Sequence, residues 1–248
     1  MKRFSFNDVE FVSCDYVEAT ELIIDALQSD KIHVFSHLNL YNFYLLCRNK
    51  FNYNHPAIVN HFFFEGIFLK IGMFALGKGW LKDTNGTDLS EYIFKEFSKM
   101  NIKLFLLGAD ESTIGLTLEK MICKLKSNVV GFYHGFFSHV NESDILQIIN
   151  SLGADALISG MGFKKEIVFA YNNSDKLNVR LIWNVGGLFD FLSEKKKRAP
   201  EFLRKIKMEW LYRFCLEPGK KFFRNVIPPI WFFILLVKLF LKKIRLIS

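Results

Sequence analysis

Cysteine is scarce and scattered: Cys14, Cys47, Cys123 and Cys215 show no C-x-x-C spacing. That excludes a zinc ribbon and argues against a disulfide framework, and it fits a reducing, cytoplasmic setting. No D-x-D acid pair is present, so nothing in the sequence calls for a divalent cation, and neither a metal site nor a cofactor is expected. Neither G-x-G-x-x-G nor a Walker A lysine occurs. The N-terminus, MKRFSFNDVEF, has acids where an export signal would have its apolar core, so no such signal is expected. There is no internal repeat and no low-complexity linker. Acid is scarce in two places. Glu65 is the only Asp or Glu between Asp30 and Asp83. Residues 190–248 hold 15 Lys/Arg against 5 Asp/Glu, whereas residues 1–189 hold 18 against 20. The basicity therefore belongs to the tail, which points to a localised anionic partner.

What is present is a core-forming chain. Of its 248 residues 50% are hydrophobic and 23% charged, enough for one α/β domain, or one domain plus an appendage. Helical spacing over residues 17–29 is followed by a short buried strand, 32–36, with the next helix opening in HLNLYNF. His37 and Asn39 then fall at a strand's C-terminal end, where parallel sheets place their ligands; an ordinary strand-end histidine is the plainer reading of His37. Glu65 lies between Phe62–Phe64 and an apolar segment. Poor hydration there raises a carboxyl pKa and suits a general base, although a carboxylate satisfied by helix N-terminal N–H groups has the same pattern. Asn85-Gly86 is a turn, with Thr87 or Asp88 as the expected cap of a helix over 88–100.

Strands are expected at 103–110, 128–137, 154–162 and 179–191, with helices at 111–126 and 142–152 between them. Glycines mark the strand ends: Gly108, Gly135, Gly162, then Gly186-Gly187 followed by Asp190. Lys164, Lys165 and Glu166 fall in the first turn of a helix. Strand–glycine–helix units in succession imply a Rossmann-like, mostly parallel sheet flanked by helices. Their glycine turns and helix N-termini suit a diphosphate.

Beyond residue 194 the chain is basic and aromatic. Residues 225–237 carry no charge, Pro228 and Pro229 interrupt the start of that run, and Lys238, Lys242, Lys243 and Arg245 follow it. Thirteen residues fall short of the roughly 20 a spanning helix needs. The segment reads as an interfacial anchor, with a core helix as the alternative. The expected division is a core over 1–194 and a membrane-associating appendage over 195–248. A nucleic-acid partner is not expected, because such tails rarely carry an apolar patch of this kind.

The order of motifs resembles the WecG/TagA/CpsF glycosyltransferases of bacterial surface-polymer synthesis, from about residue 30 to about residue 225. The most specific part is Val185–Phe191, Lys197–Pro200, Glu209–Arg213 and Glu217-Pro218, supported by Asn39, Glu65-Gly66, Gly86–Leu89, Gly108, Gly135–Phe137, Gly162, Lys164 and Glu166. The resemblance implies inverting, metal-independent transfer of a sugar, often N-acetylmannosamine, from a UDP-sugar to an undecaprenyl-diphosphate-linked sugar. It places the enzyme peripherally on the cytoplasmic face of the inner membrane and leaves a homo-oligomer open. It casts Glu65 as the base. Asn39, Gly108, Gly135, Gly162, Lys164, Glu166, Gly186, Gly187 and Asp190 become donor contacts. His37, Lys165, Arg198, Arg213 and Arg224 become acceptor or diphosphate contacts, although Arg213 and Arg224 also read as solvated cations. The chain departs from the family pattern with Glu65 for aspartate, His37 for threonine, Lys165 for glutamine and Asp83 near the place of an arginine. A non-catalytic membrane-surface protein that keeps the nucleotide fold is the alternative.

Overall fold

A computed structural model describes residues 1–6, 9–48, 58–138 and 141–245; the side chains of Ser5, Phe6, Val9, Arg213, Lys220, Lys221 and residues 242–245 lie outside that description. Eight strands form one sheet: β1 (Lys2–Phe6), β2 (Val9–Ser13), β3 (His33–Leu38), β4 (His61–Phe64), β5 (Lys103–Gly108), β6 (Asn128–Tyr133), β7 (Ala156–Gly160) and β8 (Leu181–Asn184). Their order is β1-β2-β4-β3-β8-β7-β5-β6. Only the β1–β2 hairpin is antiparallel among the described pairs.

The central strands are buried on both faces, which is why they read as continuous apolar runs. Their side chains alternate between two layers. Phe35, Phe63, Leu104, Leu106, Ile158 and Trp183 pack toward α1 (Tyr16–Leu27), α4 (Gly86–Lys99), α5 (Glu111–Cys123) and α8 (Leu188–Leu192). Phe62, Phe64, Phe105, Leu107, Leu157 and Ile182 pack toward α2 (Leu40–Cys47), α3 (Ile67–Ala75), α6 (Glu142–Ser151) and α7 (Phe163–Asn173).

Helix starts follow capping chemistry. Asp15 and Glu18 form a capping box on α1, and Asp110 caps α5. α4 begins two residues earlier than its sequence pattern suggests, because Asn85, not Thr87 or Asp88, is its cap. β6 stops at Tyr133, well short of residue 137, and the chain beyond it turns Phe137 back onto Phe169 of α7. Only residues 181–184 of the expected last strand pair; Gly186-Gly187 then turn directly into α8.

The tail forms α9 (Glu201–Lys205), α10 (Glu209–Leu216) and α11 (Pro218–Arg245). Contrary to expectation, Pro228 and Pro229 do not interrupt the apolar segment: α11 runs through them. Trp231 and Phe232 pack on Phe43 and Tyr44 of α2, and Phe232 also covers Gly72 of α3. The opposite face, with Ile230, Phe233, Ile234, Val237, Phe240 and Leu241, is exposed. The 20 residues Phe222–Leu241 are long and apolar enough to cross a membrane, so α11 is the candidate membrane-associating element.

Candidate active site

Two cavities meet above the C-terminal ends of the central strands. The larger, about 680 Å³, lies over β3, β7 and β8 and reaches Lys195–Lys197 and Tyr212. The smaller, about 160 Å³, lies between the β4–α3 turn and the tail, against Arg204, Lys207, Glu209 and Trp210. Asn39, Tyr41, Glu65, Asn85 and Arg224 line both.

Glu65 follows β4 directly. Its N–H donates to the Leu38 carbonyl at 3.0 Å, and Gly66, at φ 103°, turns the chain into α3. That φ suits glycine and strains any other residue. The N-cap residue is Gly66 itself, which has no side chain to cap the helix. Its Oε1 accepts from Asn85 Nδ2 at 3.0 Å, and its Oε2 lies 3.7 Å from His37 Nδ1. Asn85 performs two tasks at once, since its Oδ1 accepts from the N–H groups of Thr87 and Asp88. The cap of α4 thereby orients the carboxylate.

His37 is buried, one strand away from Glu65. Trp183 Nε1–H donates to its Nε2 at 3.2 Å. That bond requires the ring's proton on Nδ1, facing Glu65. Burial pushes the His37 pKa down to about 4, against an opposing backbone hydrogen bond at Thr84. A neutral ring at this depth balances no diphosphate charge; its position makes it a neighbour of Glu65.

Glu166 is buried at the N-terminal end of α7. Its Oε1 accepts from Gly162 N–H at 3.1 Å and from Gly186 N–H at 2.8 Å. One carboxylate thus ties together the turns that follow β7 and β8, and those two N–H groups are already engaged. Burial pushes the Glu166 pKa up to about 8, against these backbone donors.

The structure gathers His37, Asn39, Glu65, Gly162, Glu166, Gly186, Gly187, Asp190 and Arg224 around the larger cavity. Asn39 also caps α2, accepting from Asn42 N–H. Gly108 and Gly135 line neither cavity. A Cβ on Gly108 would come within 2.4 Å of the Gly160 backbone, and one on Gly135 within 3.0 Å of Gly108 Cα. These glycines serve close backbone packing instead.

Three cations expected at a diphosphate are also absent from both linings. Lys164 is exposed. Lys165 donates to the Gly135 carbonyl at 2.6 Å and sits 4.4 Å over the Phe137 ring. Arg198 bridges Asp88 at 2.8 Å and Glu209 at 3.3 Å, fastening the tail to the core. The Arg213 side chain lies outside the described residues. Arg224 approaches the Tyr41 ring at 5.8 Å. Asp190 pairs with Lys196, which the sequence pattern did not single out.

Ser36, Tyr41, Asn85 and Asn184, which line the larger cavity, and Trp183 beside His37 are further residues that pattern reading missed. Asn85-Gly86 reads as turn chemistry from the sequence. The signal for Asn85 was a second acceptor-rich neighbour, Glu65, which only the fold brings near. Among the described residues no group of three or more His, Cys, Asp or Glu side chains is arranged to hold a metal ion.

A family model described as Glycosyl transferase WecG/TagA/CpsF family matches residues 4–245, nearly the whole chain, and the chain belongs to that family. It is therefore a glycosyltransferase of a family that works in surface polysaccharide synthesis.

Proposed function

We propose that this glycosyltransferase moves N-acetylmannosamine, another hexose or another N-acetylhexosamine from a UDP-sugar to a sugar carried on undecaprenyl diphosphate. The transfer inverts the anomeric centre and uses no metal ion. Its setting is the cytoplasmic face of the bacterial inner membrane. Residues 1–194 act as the catalytic core and residues 195–248 as a membrane-associating appendage.

One observation carries this reading: Glu65 lines both cavities, one built from glycine turns and the other from the tail. A transferase with two substrates needs its base between them. The donor occupies the larger cavity and the acceptor hydroxyl enters through the smaller. That oxygen attacks the anomeric carbon, its proton passes to Glu65, and the bond from carbon to the diphosphate breaks with its electron pair leaving on UDP. Asn85 holds the carboxylate, and the His37 ring lies beside it. Arg224, Lys196 and Lys197, which line the donor cavity, balance the leaving charge.

The test offers a panel of UDP-sugars together with a short-chain polyprenyl-diphosphate-GlcNAc acceptor and scores UDP release and product mass. One sugar is expected to give a product one residue heavier. No product from any donor, with binding to anionic liposomes retained, would favour a non-catalytic membrane-surface protein.

A further inference from the structure

The floor of the larger cavity holds a row of polar side chains that neither the capping network nor the Glu65 cluster uses. Asn184 ends β8, Ser159 pairs with it on β7, and Ser36 lies one residue beyond the Phe35–Trp183 pair on β3. These strands are adjacent, and all three residues share the parity of Leu157 and Ile182, so they point to the α2 and α7 side of the sheet. Their exposures are 1%, 0% and 1% for Asn184, Ser159 and Ser36. The Asn184 Oδ1 and Nδ2 and both hydroxyls have no hydrogen-bond partner among protein groups. Asn184 and Ser36 line the cavity; Ser159, paired with Asn184 on the next strand, does not.

Burying a polar group without a partner is costly. An apolar trio would be the more stable choice in a sheet whose next layers down are Ile182, Leu157 and Val34. Retained polar groups of this kind mark places where binding overrides packing.

We propose that Asn184, with Ser36, forms a seat for an amide or imide edge of the nucleotide-sugar donor. A primary amide offers one donor and one acceptor side by side, which complements a ligand edge carrying N–H beside C=O. The donor has two such sources: its uracil ring and, in an acetamido sugar, its N-acetyl group. The Ser36 hydroxyl, both donor and acceptor, adds a further partner on the β3 side. This assignment rests on the donor reading above and adds which contacts select it.

The experiment is calorimetric binding of UMP, UDP-Glc and UDP-GlcNAc to the full chain, wild type against Asn184→Leu, with thermal midpoints recorded alongside. Ser36→Ala, which removes one oxygen, is the second variant should the first not fold. Asn184→Leu is expected to keep or raise the thermal midpoint while weakening binding on the order of tenfold. UMP weakened together with both sugars makes uracil the occupant. UMP unchanged with UDP-GlcNAc alone weakened makes it the N-acetyl group. All three unchanged in both variants overturns the seat and leaves the donor reading standing. A wild-type protein that binds none of the three overturns the donor reading, and the seat with it.

Discussion

The core and the tail are held by different forces. In the core, residues such as Phe35, Phe63, Leu106 and Trp183 are wholly buried between sheet and helices. In the tail, α9 buries no residue at all. Besides the strip of α11 around Phe232, Trp210 of α10 packs on Phe68 of α3 and Phe223 meets Tyr44; the rest of the seam is charged. Arg198 and Arg204 reach Asp88, and Lys207 reaches Asp83, which also holds Lys70. The near-neutral balance of residues 1–189 is thus an average that conceals acids placed opposite the tail. Part of the tail's positive charge is neutralised at this seam.

Separating tail from core without touching Glu65 gives the larger effect. A Cβ on Gly72 would lie 2.4 Å from the Phe232 ring. Gly72→Val therefore wedges α11 off α3, with an overpacking cost of about 1–3 kcal/mol. Transfer to the lipid-linked acceptor is expected to fall by about tenfold or more, as 1.4 kcal/mol is a factor of ten, while UDP binding by calorimetry stays unchanged. Loss of both together would mean that the two regions are not separable.

Weakening the seam electrostatically is gentler. The Asp88 side chain is 32% exposed, so its pairs with Arg198 and Arg204 are screened and contribute about 1 kcal/mol or less. Asp88→Asn is expected to lower transfer only a few-fold. The wild type in 1 M salt should approach the variant in low salt. A variant as salt-sensitive as the wild type would exclude the seam as the origin.

Glu166 tests the core side alone. Its folded pKa stands above the ordinary carboxyl value, so its protonated form favours folding. That stability is fully present below about pH 4.5 and is lost as pH rises through about 8. Glu166→Gln keeps an oxygen for the Gly162 and Gly186 N–H groups and removes the titration. Urea midpoints of the variant are expected to change less than wild type between these limits and to be the higher of the two at pH 8. Parallel curves would place the titrating group elsewhere.

Much of this architecture was legible in the residues. Buried parallel strands announce themselves as runs such as KLFLLG and ALISG, because both faces are covered and no polar alternation is needed. The glycines after β7 and β8, and Glu65 as an isolated carboxylate, were legible for the same reason: each breaks an apolar context. Less legible was what each group faces. Arg198 stands 110 positions from Asp88, so its charge could be read but not its partner. The glycine turns at Gly162 and Gly186 read as open anion donors, but Glu166, from the first turn of α7, holds both N–H groups. The aromatic run past Tyr133 continued a strand pattern, yet Phe137 packs on α7 instead. Pro228 and Pro229 looked like a break, but the apolar contacts of Trp231 and Phe232 just beyond them dock the helix on α2.

Glu65 is the proposed base that the two cavities share. The most direct measurement is the turnover of Glu65→Gln in the full chain, with the productive UDP-sugar and the lipid-diphosphate acceptor, alongside UDP binding. Glutamine keeps an oxygen for the Asn85 amide but takes up no proton. Unchanged UDP binding and a loss of about 10²–10⁴-fold in turnover are expected. Turnover within a few-fold of wild type would contradict Glu65 as the base.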